Sequence, residues 1–191
     1  MQKIKSLIKA SIDVKQQVLR DEVLIEKTDK IVTIITTALQ AGNRIWFCGN
    51  GGSAADAQHL AAEFSGRFYL DRMALPAEAL HCNTSYLTAV ANDYSFDEVY
   101  ARLVKGICLA GDILIGLSTS GNSVNIIKAF EAAREKNVMT IGFTGETGGN
   151  LKTLSDILIN IPSTDTPRIQ ESHMLLGHII CQLVEEKFFA A

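Results

Sequence analysis

Residues 46–67 read WFCGNGGSAADAQHLAAEFSGR, and the folding of this stretch decides the rest. A short apolar strand, Trp46 to Cys48, runs into the turn Gly49-Asn50-Gly51-Gly52. The turn opens a helix over Ser53–Ser65. Ala57, Leu60, Ala61 and Phe64 form its core stripe, and Asp56, His59, Glu63 and Arg67 share a second stripe. Ala55, Gln58 and Ala62 occupy the remaining positions, with no lysine among them, so this side is expected to be covered. Glu63 would then be partly enclosed, a setting that suits a base. The bland reading is a surface pair of Glu63 with Arg67, worth only about 0.3–0.5 kcal/mol.

The strand–turn–helix unit repeats outward from there. Apolar runs at Arg44–Cys48, Leu75–Leu80, Asp112–Ser118, Val138–Phe143 and Asp156–Ile161 read as strands. Helices are expected at Thr84–Val104 (broken near Asn92-Asp93), Asn122–Lys136 and Gly149–Leu154. A long last helix runs from about Pro167 to Phe188, with Thr166 as its candidate N-cap. Short strands alternating with helices indicate an α/β three-layer sandwich: a mostly parallel, doubly wound five-stranded sheet with helices on both faces. Residues 1–42 read as an N-terminal helical hairpin and residues 43–191 as the α/β domain. Ile4, Leu7, Ile8, Ile12, Val18 and Leu19 recur at helical spacing in the first helix. The second carries a wide apolar band of Ile31, Val32, Ile34, Ile35, Ala38 and Leu39, which suits an oligomer contact.

The net charge of −3 gives no reason to expect nucleic acid or anionic membrane as a partner. No apolar run reaches the ~20 residues that span a bilayer, and the N-terminus lacks a signal-peptide h-region. Cys48, Cys82, Cys108 and Cys181 form no CxxC pair, which points to reduced thiols in a cytoplasmic protein.

Ligands of open α/β sheets collect at the carboxyl ends of the strands. Two such ends are polar and small: Cys48 to Ser53, and Leu117-Ser-Thr-Ser-Gly-Asn-Ser123. Ser118, Thr119, Ser120 and Ser123 surround Gly121 at a strand-to-helix junction, where free backbone N–H groups and four hydroxyls can hold a phosphate. A serine-rich capping turn is the plainer alternative. The turn has no lysine and no nucleotide P-loop pattern. Gly49 to Ala54 also scores as GxGxxA, a dinucleotide fingerprint, but no ribose-binding carboxylate ends the next strand, so no nucleotide is expected. Ser53 followed by Asp56 resembles a capping box, which leaves Asn50 unexplained at the mouth of the turn.

His59 and Glu63, one turn apart, match the spacing of two metal ligands. In the last helix Gln170, Met174, His178 and Cys181 form a comparable stripe. His59, Glu63, Gln170 and His178 could make a metal site, an acid–base pair or satisfied buried histidines, and spacing leaves all three open.

The set CGNGGSAADAQHLAAEFSGR, AND at Ala91–Asp93, GDILIGLSTSGNS, TGETGG and RIQESHMLLGH resembles the sugar isomerase (SIS) domain proteins, and among them the phosphoheptose isomerase family. The resemblance covers nearly the whole chain. It implies interconversion of D-sedoheptulose 7-phosphate and D-glycero-D-manno-heptose 7-phosphate, the first step toward activated heptose for bacterial surface polysaccharide. It implies a cytoplasmic homotetramer with sites at subunit interfaces. It assigns Ser118, Thr119, Ser120 and Ser123 to the phosphate, and Asn50, Gly51, Gly52, Ser53, Glu63, Asn92, Asp93 and Gln170 to substrate binding. Glu63 and His178 become the catalytic pair, and His59, Glu63, Gln170 and His178 the ligands of one zinc ion. Where some members place an aspartate ahead of Arg-Ile-Gln-Glu this chain has Pro167, so that sugar contact is not carried over. The alternatives are an SIS isomerase or sensor for another phosphosugar, or a non-catalytic SIS protein that associates with the replication initiator DnaA. The second group lacks the glutamate and the terminal-helix histidine, both present here.

Overall fold

The computed structural model describes residues 1–190. The elements run α1 (Gln2–Arg20), α2 (Glu22–Gln40), β1 (Ile45–Gly49), α3 (Gly52–Ser65), β2 (Ala77–Ala79), α4 (Thr84–Asp93), α5 (Val99–Ile107) and β3 (Ile113–Leu117). Then follow α6 (Val124–Glu135), β4 (Met139–Thr144), α7 (Leu151–Leu154), β5 (Ile157–Asn160) and α8 (Thr166–Phe188). The five strands lie in the order β2-β1-β3-β4-β5, and every pairing is parallel. The sheet is thus wholly parallel, with none of the antiparallel edge that a mostly parallel sheet would allow.

Every residue of β1 and β3 is buried, as expected of parallel strands covered on both faces. Alternate side chains divide between two cores. Ile45, Phe47, Ile113, Ile115 and Leu117 pack with α2, α3 and α8. Trp46, Cys48 and Leu114 pack with residues of α4 to α7 on the other side. β2 begins only after Pro76, which lacks the N–H a ladder needs. Its carbonyl still accepts from Ile45 N–H at 3.0 Å.

α1 and α2 meet at Asp21, whose carboxylate caps α2 by accepting from Leu24 N–H at 3.0 Å. The wide apolar band of α2 is buried within its own chain, against α8 and β5. The open apolar face lies on α1 instead: Ile4, Leu7, Ile8, Ile12 and Leu19 are all exposed, and only Val14 and Val18 are buried. α8 starts one residue earlier than expected, with Asp165 at the N-cap and Pro167 in its first turn. Among the described residues no helix is long and apolar enough to cross a membrane.

Two buried polar groups fix this frame. Asp112, just ahead of β3, is almost fully enclosed. One of its oxygens accepts from Arg44 N–H at 2.9 Å, and the other from the Trp46 indole at 2.9 Å and Leu109 N–H at 3.0 Å. It ties the start of β3 to the start of β1. His173, wholly buried on α8, donates through Nε2 to the Thr144 carbonyl at 3.1 Å. Its Nδ1 has no partner among the described residues. Burial pushes its imidazole down to about 4, against the favourable Thr144 contact.

Replacing Asp112 by Asn puts N–H donors against N–H donors, and urea unfolding should show a loss of about 1–3 kcal/mol. For His173 the folded state refuses a proton that the unfolded chain accepts below its ordinary value of about 6.5. Its contribution is therefore full above that pH and is lost as the pH falls toward 4. The urea midpoint should drop across this window, and His173→Gln should flatten the slope.

Candidate active site

β1 and β3 pair so that Gly49 lies opposite Leu117, and the two polar turns leave the sheet side by side. The strand order reverses between them: the chain goes from β1 outward to β2, then back past β1 to β3. This is the crevice where doubly wound sheets bind ligands.

The glycine turn needs its glycines. Gly51 has φ 55° and ψ −122°, a conformation that side chains disfavour. A Cβ on Gly52 would come within 2.5 Å of Gln170 Nε2. Gly51 is the N-cap of α3 and no side chain caps that helix. The suspected capping box of Ser53 and Asp56 is therefore absent: Ser53 lies inside the first turn, buried, and accepts from Gln170 Nε2 at 3.4 Å. Asp56 has one buried oxygen without a partner among the described residues. Burial pushes its carboxyl up, partly opposed by His59.

Asn50 is held by a residue that the sequence did not single out. Its amide and that of Asn125 exchange two hydrogen bonds, of 2.8 and 2.9 Å. Asn125 is buried in the first turn of α6, so the pair locks the glycine turn to the serine turn. An asparagine there looks like ordinary helix-start chemistry, which is why it gives no signal in the sequence.

In the serine turn, Ser118 Oγ and Ser123 Oγ lie 3.0 Å apart. Gly121 has φ 67°, and a Cβ there would strike the Gly148 backbone. Leu151 N–H donates to the Gly121 carbonyl at 3.1 Å and Asn150 N–H to Asn122 Oδ1 at 3.0 Å, which seats the TGETGG loop against the turn. α6 begins immediately after Ser123 with no side-chain cap, leaving its first N–H groups for an anion. Thr119 and Ser120 line a concavity of about 240 Å³ together with Thr166 and Ile169 of α8.

α3 and α8 bring the remaining residues together. His59 Nε2 lies 3.0 Å from Glu63 Oε1 and 3.1 Å from His178 Nε2. The ligating atoms of all three residues fall within 4.8 Å of one another. A hydrogen on His59 Nε2 removes that atom's lone pair, so one neutral imidazole cannot satisfy both neighbours well. Three lone-pair donors converging with so little hydrogen to share suit a cation, either a proton or a divalent metal held by two histidines and a carboxylate. Phe68 stacks on His178 with ring centroids 5.8 Å apart. Gln170 lies two turns before His178 on α8 and is engaged with Ser53, not with this trio.

Beside the trio, His59, Glu63, Ala55, Gln58 and Ala62 line an open concavity of about 520 Å³. The small face of α3, expected to be covered, is open in the single chain: Ala55, Gln58, His59 and Ala62 are exposed, and Glu63 is three-quarters enclosed. Asn92 and Asp93 end α4 in exposed positions and bond to each other at 2.9 Å, with no hydrogen bond to either turn.

The model of the SIS domain family matches residues 9–145. The phosphoheptose isomerase of Aneurinibacillus thermoaerophilus is 52% identical over 186 residues, 97% of this chain and 94% of that one. That of Clostridium acetobutylicum is 50% identical, with 97% and 95% coverage. Among solved structures, a phosphoheptose isomerase from Neisseria gonorrhoeae superposes with a TM-score of 0.91 at 41% identity, covering 97% of this chain and 98% of that one. One from Francisella tularensis gives 0.93 at 32% identity, covering 97% of each. With identity and fold agreeing along the whole length, the chain belongs to the SIS domain family and, within it, to the phosphoheptose isomerases.

Proposed function

We propose that the chain interconverts D-sedoheptulose 7-phosphate and D-glycero-D-manno-heptose 7-phosphate, the first step toward activated heptose for bacterial surface polysaccharide. The observation that carries this is the meeting of Glu63 with His59 and His178 in a chain that also presents an anion-ready serine turn.

Aldose–ketose isomerisation moves a proton between C1 and C2 through an enediol. Glu63 has one oxygen against His59 and a second with no hydrogen bond among the described residues. The second oxygen is the base that takes the carbon-bound proton and returns it to the neighbouring carbon. His178 passes the proton between the two sugar oxygens. Ser118, Thr119, Ser120 and Ser123, with the first N–H groups of α6, hold the phosphate and so fix the carbon chain over Glu63. Asn50 keeps one N–H and one lone pair beyond its bonds to Asn125, enough for a sugar hydroxyl. Gly51, Gly52, Ser53, Asn92, Asp93 and Gln170 complete the proposed sugar contacts.

The donor set fits a divalent ion, for which zinc is the reading. His59, Glu63 and His178 would hold it, with Gln170 joining only on leaving Ser53. When bound, it supplies Lewis-acid stabilisation of charge on the sugar oxygens. The open apolar face of α1 and the small-residue face of α3 support an oligomer with the sites at its interfaces, for which a cytoplasmic homotetramer is the reading.

Purified protein incubated with sedoheptulose 7-phosphate should form the aldose heptose phosphate, with Glu63→Gln lowering kcat by at least ~10²-fold. No turnover, with or without zinc, rejects the reading. The double change Ser118→Ala and Ser123→Ala should raise KM at least ~10-fold while leaving kcat closer to wild type. Elemental analysis should find about one divalent ion per chain, lost in His178→Ala. Activity indifferent to chelator, with no bound ion, would reject the metal.

A further inference from the structure

Arg72 and Glu185 form an ion pair that the reaction chemistry does not explain. Arg72 lies in the loop after α3 and Glu185 in the last turns of α8, 113 residues apart. Arg72 Nε meets Glu185 Oε1 at 2.8 Å, and their side chains are only 4% and 2% exposed. Two charges so deeply buried need every hydrogen bond satisfied, and here each is used to hold backbone.

The Arg72 guanidinium donates to four carbonyls in and beyond the last turn of α3. Two belong to the turn itself: Nη2 reaches the Glu63 carbonyl and Nη1 the Phe64 carbonyl, each at 2.7 Å. These carbonyls have no partner within the helix, and a cation is favoured at that end of it. Arg72 therefore fixes the backbone of Glu63 itself.

Glu185 works on the other side of the same loop. Its oxygens accept from the consecutive N–H groups of Phe68, Tyr69 and Leu70 at 3.1, 2.7 and 2.9 Å. Burial opposes the ionised form, but these bonds and Arg72 outweigh it and hold the carboxyl below its usual range. Glu185 follows His178 by seven residues, two turns along the same face of α8. The loop it holds returns to His178 through Phe68, whose ring lies on that imidazole.

We propose that Arg72 and Glu185 are positioning residues, which together set the separation of Glu63 and His178. Arg72 holds Glu63 through its own carbonyl, and Glu185 holds His178 through the Phe68 ring. The pair joins α3 to α8 behind the reacting groups, where it touches no substrate. The proposal rests on the assignment of proton transfer to Glu63 and His178.

The test compares wild type with Arg72→Lys and Phe68→Leu, reading kcat and KM on sedoheptulose 7-phosphate, thermal midpoint, and the His178 ring proton signals in histidine-labelled protein. Lysine keeps the charge but cannot span the carbonyls and Glu185 together. Leucine removes the ring and leaves the ion pair intact. Both variants should fold, lose about 10- to 100-fold in kcat with KM within about twofold, and shift the His178 signals as the stacked ring moves or leaves. Should Arg72→Lys fail to fold, Phe68→Leu and Glu185→Gln decide by the same readouts. With wild type active, folded variants that keep kcat within about twofold overturn the proposal. With wild type inactive the functional reading fails instead, and unchanged His178 signals in Arg72→Lys then overturn the positioning role separately.

Discussion

Everything in the site depends on the parallel pairing of β1 with β3. That ladder sets Gly49 against Leu117, and the residues just beyond them diverge into the two turns. A slip of one residue would exchange the faces of every side chain on the strand. Asp112 guards against it at the other end by joining the two strands through its contacts to Arg44 and Trp46. At the site end the Asn50–Asn125 amide pair does the same for the turns. The register is thus pinned above and below by polar groups that only the correct pairing satisfies.

The remaining groups are placed by helices anchored to that frame. α3 carries His59 and Glu63 on one stripe and packs its apolar stripe against β1. α8 lies across the same face, held by Leu176, Ile180 and Val184 in the core and by His173 on Thr144. α1 adds only Val14 and Val18 to the core and is fastened as well by polar contacts to α8. Ser11 donates to Glu171 at 2.6 Å and Arg168 to the Leu7 carbonyl at 2.8 Å. This explains how α1 can stay docked while five large apolar side chains face outward.

Much of this was legible in the sequence because it is local. A strand running into a glycine turn, two ligating residues one turn apart and a serine turn before a helix are each complete within about twenty residues. The five strands and the break after Asp93 follow from the same short-range patterns. What escaped depends on partners far apart in the chain. Asn125 looks like any residue of a first helical turn until Asn50 is placed opposite it. Arg72 and Glu185 are residue types usually found on surfaces, and nothing near either one announces the other. The apolar bands of α1 and α2 look alike as sequence. Only the packing of α2 against α8 and β5 decides which is buried.

Under the proposed function, the length of α8 has a consequence for substrate choice. Its first turns, at Thr166 and Ile169, flank the serine turn, and His178 stands nine residues beyond Ile169. At a rise of about 1.5 Å per residue that is roughly 13 Å of rigid rod between the proposed phosphate end and the proposed proton-transfer end. On that reading the helix is a gauge for the number of carbons between a sugar's phosphate and its carbonyl. A shorter phosphosugar could seat its phosphate or reach Glu63, but a fixed rod does not shorten to let it do both.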